Sequence, residues 1–117
     1  MPRVLLVEDD PDIRLLFEDV LLEAGYEVDT TGTIEGGAEL LLNRDYNVAV
    51  IDGRLPDGVG TALADKAQEK GIPTFIVTGY AFVLRELAAD PEKYRVLLKP
   101  IRPREILQAV ADALGVT

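Results

Sequence analysis

Four short apolar runs in this sequence each stop at polar residues whose chemistry suits phosphate or a cation. Glu8 and Asp9 follow the first run, Asp52 the second, Thr78 the third and Lys99 the fourth. If the runs are parallel strands of one sheet, these side chains meet at its carboxyl edge, where open α/β sheets bind their ligands. Three carboxylates, one hydroxyl and one ammonium at that edge could bind a divalent cation and accept a phosphoryl group.

Hydrophobic periodicity predicts five strands that alternate with five helices. The predicted strands are residues 4–7, 26–30, 48–51, 75–77 and 96–98. The predicted helices are residues 11–24, 33–43, 58–70 and 103–114, with a less regular one at 80–89 that Pro91 cuts short. In the first helix the apolar stripe includes Ile13, Leu16 and Phe17, Asp10 is the expected N-cap, and Gly25 ends the helix.

The strand pattern also predicts the fold class. The runs are apolar throughout rather than alternating, which is typical of strands covered on both faces. Right-handed crossovers then place helices on both sides of a parallel sheet. We expect a single α/β domain built as a three-layer α/β/α sandwich.

Composition excludes several classes of function. The chain has 117 residues, 48% of them apolar, and neither cysteine nor histidine, so disulfides, thiolate or imidazole catalysis and the usual zinc sites are excluded. A formal net charge of −9 opposes contacts with a phosphate backbone, so we expect a protein partner and no direct nucleic-acid binding. No apolar stretch approaches the roughly 18 residues of a membrane span, and no signal peptide is evident, so the expected location is cytoplasmic.

Four motifs in this order resemble the receiver domain of two-component response regulators, and the resemblance covers residues 1–117 as one domain. The motifs are Leu5-Leu6-Val7-Glu8-Asp9-Asp10, Val50-Ile51-Asp52 with Leu55-Pro56-Asp57-Gly58, Val77-Thr78-Gly79, and Leu98-Lys99-Pro100. The resemblance implies a flavodoxin-like five-stranded parallel sheet in the order 2-1-3-4-5. It also implies a phosphoacceptor in a phosphorelay, rather than an enzyme, whose Asp52 receives a phosphoryl group from the phosphohistidine of a sensor histidine kinase or phosphotransfer protein.

Each site residue has an expected role. Glu8, Asp9 and Asp52 would hold Mg²⁺, which neutralises the charge that otherwise repels an incoming phosphoryl anion. The resemblance implies that the backbone carbonyl of Arg54 completes the metal site. Lys99 and the hydroxyl of Thr78 would bind phosphoryl oxygens.

The resemblance has further implications. It implies a cis bond between Lys99 and Pro100, and a docking position for the kinase or phosphotransfer protein at Ile13. The downstream protein partner is unknown, and a homodimer is left open. The chain stops at Thr117, soon after the last predicted helix, and either a single-domain regulator or a receiver excised from a longer protein is compatible with that.

Three departures from the family pattern concern turnover and readout of the phosphate. Arg54 occupies a position that affects access of water to the phosphate. Val96 stands where the family usually has an aromatic switch residue, so we hypothesise that Tyr80 takes over that role. The sequence Asp90-Pro91 replaces a turn of small residues and predicts a short fourth helix.

Other functions fit the residues less well. A pseudo-receiver, which works as an interaction module without phosphorylation, generally lacks one of the acids or the lysine, and this chain retains them all. A flavin carrier of similar topology needs a Ser/Thr/Gly-rich loop where this chain has Glu8, Asp9 and Asp10. An aspartate-based phosphatase would have a second acid at the position of Arg54.

Overall fold

The computed structural model describes residues 1–79 and 95–115. The strands are β1 (Arg3–Val7), β2 (Glu27–Thr31), β3 (Val48–Asp52), β4 (Arg54–Leu55), β5 (Gly58–Val59), β6 (Thr74–Thr78) and β7 (Arg95–Leu98). The helices are α1 (Pro11–Glu23), α2 (Ile34–Asn43), α3 (Thr61–Glu69) and α4 (Pro103–Leu114). The tyrosine at position 80 and the predicted helix at 80–89 lie outside the described residues.

Five of the strands form one parallel sheet in the order β2-β1-β3-β6-β7. In that sheet Val7 is opposite Ile51, and Thr78 is opposite Leu98. This is the predicted 2-1-3-4-5 order, because β4 and β5 form a separate antiparallel pair. The flavodoxin-like fold is therefore confirmed, and the carboxyl ends of β1, β3, β6 and β7 share one edge.

Two apolar clusters, one on each face of the sheet, form the core and give the predicted three layers. Residues of α2 and α3 cover the first face, where Leu41, Leu63, Ala64 and Ala67 pack on Leu5, Val7, Ala49 and Ile51. Residues of α1 and α4 cover the second face, where Phe17, Leu21, Ile106 and Val110 pack on Val4, Leu6, Val48 and Val50. Burial on both sides explains why the central strands read as unbroken apolar runs.

Helix α1 begins and ends as its sequence predicts. The Asp10 carboxylate accepts hydrogen bonds from the backbone N–H groups of Asp12 and Ile13, and Gly25 follows the helix with φ 95°. The predicted buried position of Leu16 is wrong, since its side chain is 48% exposed. Phe17 and Leu21 carry the buried stripe, because the helix contacts the sheet over a narrower arc than the apolar sequence pattern covers.

The predicted helix at 58–70 starts too early. Gly58 pairs with Leu55 in the short β4–β5 ladder, and α3 begins only at Thr61. Gly58 has φ 144°, a conformation that glycine adopts without strain and that no helix contains. Among residues 1–79 and 95–115, no helix is long and apolar enough to cross a membrane.

Candidate functional site

Three carboxylates lie together at the carboxyl edge of the sheet. Glu8 directly follows β1, Asp9 comes next, and Asp52 ends the neighbouring strand β3; one oxygen of each lies within 4.8 Å of the others. Glu8 and Asp52 are buried, whereas Asp9 is exposed to solvent. These all-oxygen ligands suit a hard divalent cation, so the cluster could hold a metal ion.

The Asp52 carboxylate is held through both of its oxygens. Its Oδ2 atom lies 2.8 Å from Nζ of Lys99, and its Oδ1 atom accepts a hydrogen bond of 3.1 Å from the backbone N–H of Arg54. The side chain is only 3% exposed. The carboxylate is therefore fixed in direction before any ligand arrives.

Lys99 reaches this carboxylate from the end of β7. Its backbone N–H donates to the carbonyl oxygen of Thr78, and the bond from Lys99 to Pro100 is cis. Its Nζ atom also lies 3.9 Å from Oε2 of Glu8. Burial alone lowers the pKa of Lys99, but the hydrogen bond and charge of Asp52, together with the charges of Glu8 and Asp9, raise it above its ordinary value. The ammonium is thus positively charged across the neutral pH range.

Glu8 is an acid of this cluster whose pKa is strongly raised. Desolvation, together with a hydrogen bond and charge repulsion from Asp52, raises the pKa of Glu8 from 4.5 to about 8, against the opposing effects of Lys99 and the backbone N–H of Asp10. So high a pKa in a buried carboxyl group means that the nearby positive charge does not offset the cost of ionising it. A divalent cation at this position would supply that charge, and the donor set therefore fits one.

The loop that follows Asp52 is closed against the strand. The backbone N–H of Gly60 donates to the carbonyl oxygen of Gly53 at 3.0 Å, and a Cβ atom on Gly60 would overlap the backbone carbonyl of Asp52. Arg54, Leu55 and Pro56 of this loop line a cavity of about 200 Å³ together with Asp9, Asp52 and Lys99. The cavity gives small polar ligands access to the carboxylates.

Asp57 attaches the same loop to α2. Its Oδ1 atom accepts from the backbone N–H of Ile34 at 2.8 Å and its Oδ2 atom from that of Glu35 at 3.0 Å. These two hydrogen bonds lower the pKa of Asp57. The sequence analysis gives Asp57 no partner, because nothing in the local sequence indicates a contact more than twenty positions away.

The remaining predicted residues lie on β6, β7 and α1. Thr78 is buried at the end of β6, next to β7. Val96 is half-buried and packs against the core on the α2–α3 side. Ile13 lines a second cavity of about 330 Å³, which also reaches Glu8, Asp52 and Lys99.

Comparison with known proteins gives consistent matches. The family model described as the response regulator receiver domain matches residues 4–111. The chain is 30% identical to the response regulator receiver protein CpdR of Brucella abortus, with 97% of this chain and 98% of CpdR covered. It is 29% identical to the response regulator protein PilR of Pseudomonas aeruginosa, where the match covers 96% of this chain but only 26% of PilR.

Solved structures give the same result. A CheY-like response regulator receiver domain protein from Methanospirillum hungatei matches with a TM-score of 0.89 and 31% identity, covering 98% of this chain and 94% of that one. The response regulator TrrA of Thermotoga maritima, crystallised in complex with Mg²⁺ and BeF, matches with a TM-score of 0.85 and 26% identity. That match covers 97% of this chain and all of the TrrA chain.

Proposed function

Because the chain belongs to the response regulator receiver domain family, we propose that Asp52 is a phosphoacceptor. Its donor is the phosphohistidine of a sensor histidine kinase or a histidine phosphotransfer protein. The main support is the position of the carboxylate, which lies between Lys99 and the acids Glu8 and Asp9 and borders an open cavity. The predicted cytoplasmic location stays a prediction.

The proposed transfer is a displacement at phosphorus. A carboxylate oxygen of Asp52 forms the new P–O bond while the P–N bond of the phosphohistidine breaks. The bonding electron pair stays on the imidazole nitrogen, which takes up a proton. As the carboxylate becomes an acyl phosphate, Lys99 shifts from Asp52 to a phosphoryl oxygen, a movement that its half-buried, flexible side chain permits.

The metal site of this proposal consists of Glu8, Asp9, Asp52 and the backbone carbonyl of Arg54. With all three acids ionised, as cation binding requires, the carboxylates and the ammonium carry a formal charge of −2. When bound, Mg²⁺ would offset this charge and supply positive charge for the anionic phosphoryl group. Glu8 and Asp9 bind and orient the cation, so labelling should depend on magnesium.

The remaining residues have proposed roles in recognition and readout. Thr78 donates its hydroxyl to a phosphoryl oxygen, as the family resemblance implies. Ile13, beside the cavity next to Asp52, contacts the phosphodonor protein. With Val96 in place of an aromatic residue, the switch role passes in this proposal to Tyr80, which lies outside the described residues.

Chemical phosphorylation tests the proposal. The protein is incubated with acetyl phosphate and Mg²⁺, and intact-protein mass spectrometry counts the phosphoryl groups. We expect one group on the parent protein and none on Asp52→Asn or in EDTA. The matched control is Asp10→Asn, which removes a neighbouring carboxylate but preserves an N-cap, because asparagine caps helices as well as aspartate does.

Two outcomes would overturn the assignment. Equal labelling of Asp52→Asn and the parent would place the phosphate on another residue. Equal labelling in EDTA would show that phosphorylation does not require a metal ion. Loss of labelling in Asp10→Asn, with Asp52 intact, would show that the assay responds to any charge change in this loop.

A further inference from the structure

Arg14 reaches backward from α1 to the loop that carries the acids. Its Nη1 atom donates a hydrogen bond of 2.8 Å to the backbone carbonyl of Glu8, six positions earlier. Its backbone N–H donates to the carbonyl of Asp10. One residue therefore ties the first turn of the helix to the start of the acidic loop.

The carbonyl that Arg14 holds belongs to the peptide bond between Glu8 and Asp9. Because a peptide unit is planar, fixing its oxygen also fixes the direction of the Asp9 N–H and the position of the Asp9 Cα atom. The N–H of Glu8 is held separately, since it donates to the carbonyl of Thr31 at 3.0 Å. The backbone of both acids is thus fixed by contacts with α1 and β2.

Because residue 32 is glycine, the guanidinium of Arg14 has room to lie beside it. A Cβ atom at position 32 would lie 2.8 Å from Nη1 of Arg14 and 3.6 Å from both the Cα atom of Asp9 and the carbonyl oxygen of Glu8. The first distance is too short for an undisturbed contact, so a side chain here would displace the guanidinium. Arg14 of α1 therefore holds this peptide, and Gly32, between β2 and α2, leaves room for it to do so.

We propose that Arg14 is a positioning residue for the cation site, acting through the Glu8–Asp9 peptide, and that Gly32 keeps its place open. This inference rests on the proposed function. Electrostatics alone predicts the opposite effect, because a cation close to the acids repels Mg²⁺. The sign of the change in Mg²⁺ affinity therefore separates positioning from simple charge.

The decisive measurement is the Mg²⁺ dissociation constant, obtained by titrating ¹⁵N-labelled protein with MgCl₂ and following amide shifts. We expect Arg14→Met to weaken binding roughly tenfold, as is typical when a group that orients metal ligands is lost. Arg14→Lys should lie between, since it keeps the charge but loses the planar donor geometry. Arg104→Met on α4, an exposed position far along the chain, should bind Mg²⁺ like the parent.

Gly32→Ala provides an independent arm, because it leaves every charge in place. We expect it to weaken Mg²⁺ binding in the same direction as Arg14→Met. At saturating Mg²⁺ the acetyl phosphate labelling rate of both variants should return to that of the parent, since Asp52 and Lys99 are untouched. A purely structural role would instead lower the melting temperature and leave the Mg²⁺ dissociation constant unchanged.

The outcomes separate this inference from the proposed function. If the parent neither binds Mg²⁺ nor is labelled, the proposed function fails. If the parent does both, but Arg14→Met binds Mg²⁺ as well as the parent or more tightly, only the positioning role fails. Should Arg14→Met not fold, Arg14→Lys and Gly32→Ala decide the question in the same titration, and unchanged affinity in both overturns the role.

Discussion

The Asp52–Lys99 ion pair joins the last residue of β3 to the residue that directly follows β7, and these two strands differ sharply in their surroundings. All five residues of β3 are buried, and the strand pairs with β1 on one side and β6 on the other. Strand β7 pairs with β6, and both of its end residues are exposed. The Asp52 carboxylate is therefore held at the end of a buried strand, whereas the Lys99 ammonium extends from the end of a partly exposed strand.

This difference suits the proposed roles, in which Asp52 receives the phosphoryl group and Lys99 moves to bind it. Asp52 is 3% exposed and Lys99 is 34% exposed, so the lysine has room to change partners while the carboxylate does not. Because the side chain of lysine is long and flexible, such a movement costs little free energy.

The largest effect is expected from Ile51→Ala. Ile51 is fully buried in β3, and loss of its side chain leaves a cavity that should lower the free energy of unfolding by about 2 to 5 kcal/mol. The matched variant Leu98→Ala removes an aliphatic side chain from β7 that is 57% exposed, and should change stability by less than about 0.5 kcal/mol. Urea unfolding gives both values; similar losses would mean that the two strands are equally constrained.

A smaller effect is expected when the ion pair is broken. In EDTA, Lys99→Met should lower the free energy of unfolding by about 1 to 2 kcal/mol, because the buried Asp52 carboxylate loses its partner. Saturating Mg²⁺ should recover part of this loss by supplying positive charge to the same carboxylate. Lys66→Met, at an exposed position of α3, serves as the control. Equal stability of Lys99→Met and the parent in EDTA would show that the pair contributes nothing.

The third prediction concerns pH, in the absence of metal. The folded protein binds the Glu8 proton more tightly than the unfolded chain does, since the pKa of Glu8 is raised from 4.5 to about 8. Stability should therefore fall as the pH rises through that window. Glu8→Gln should flatten this dependence, and Glu23→Gln at the exposed end of α1 should not. Thermal unfolding in EDTA at several pH values measures it.

The smallest effect is expected from Asp57→Ala. This variant removes the acceptors for the Ile34 and Glu35 N–H groups and frees the loop after β3 from α2, so a small drop in melting temperature should follow. Because the pKa of Asp57 is lowered, its contribution should be lost as the pH falls below 3.8 and toward the folded-state value. Asp57→Asn should fall between Asp57→Ala and the parent, because its amide oxygen can replace one acceptor while its NH2 group cannot accept the second N–H. If labelling of Asp52 also collapses in Asp57→Ala, the loop, and not the buried strand, fixes the carboxylate.

The strands and the acidic cluster could be predicted because their signals are local. Each buried strand is an apolar run ended by a polar residue, and parallel strands bring those ends to one edge. The start of α1 was equally clear, since Asp10 and Pro11 provide a cap and a first helical residue. The side chains of Glu8, Asp9, Asp52 and Lys99 therefore come together, with the backbone of Arg54 beside Asp52. The predicted order of the strands agrees with the observed sheet.

The features that sequence reasoning missed depend on contacts between distant residues. The helix predicted from Gly58 gave way to the β4–β5 pair, a tertiary arrangement that overrides local helical spacing. Leu16 matches the helical period, yet it lines the cavity of about 330 Å³ beside Ile13 and stays 48% exposed. Nothing in the local sequence around Arg14 indicates its hydrogen bond to the Glu8 carbonyl, six positions earlier.

Gly60 has a consequence for engineering. Its backbone torsions, φ −63° and ψ −17°, suit any residue, so the glycine is required by contact with the Asp52 carbonyl and not by conformation. Its neighbour Val59 is 47% exposed and open to variation. A saturation library should therefore tolerate broad diversity at position 59 and retain glycine alone at position 60. Anyone transplanting this centre into another scaffold would have to move residues 52–60 as one indivisible unit.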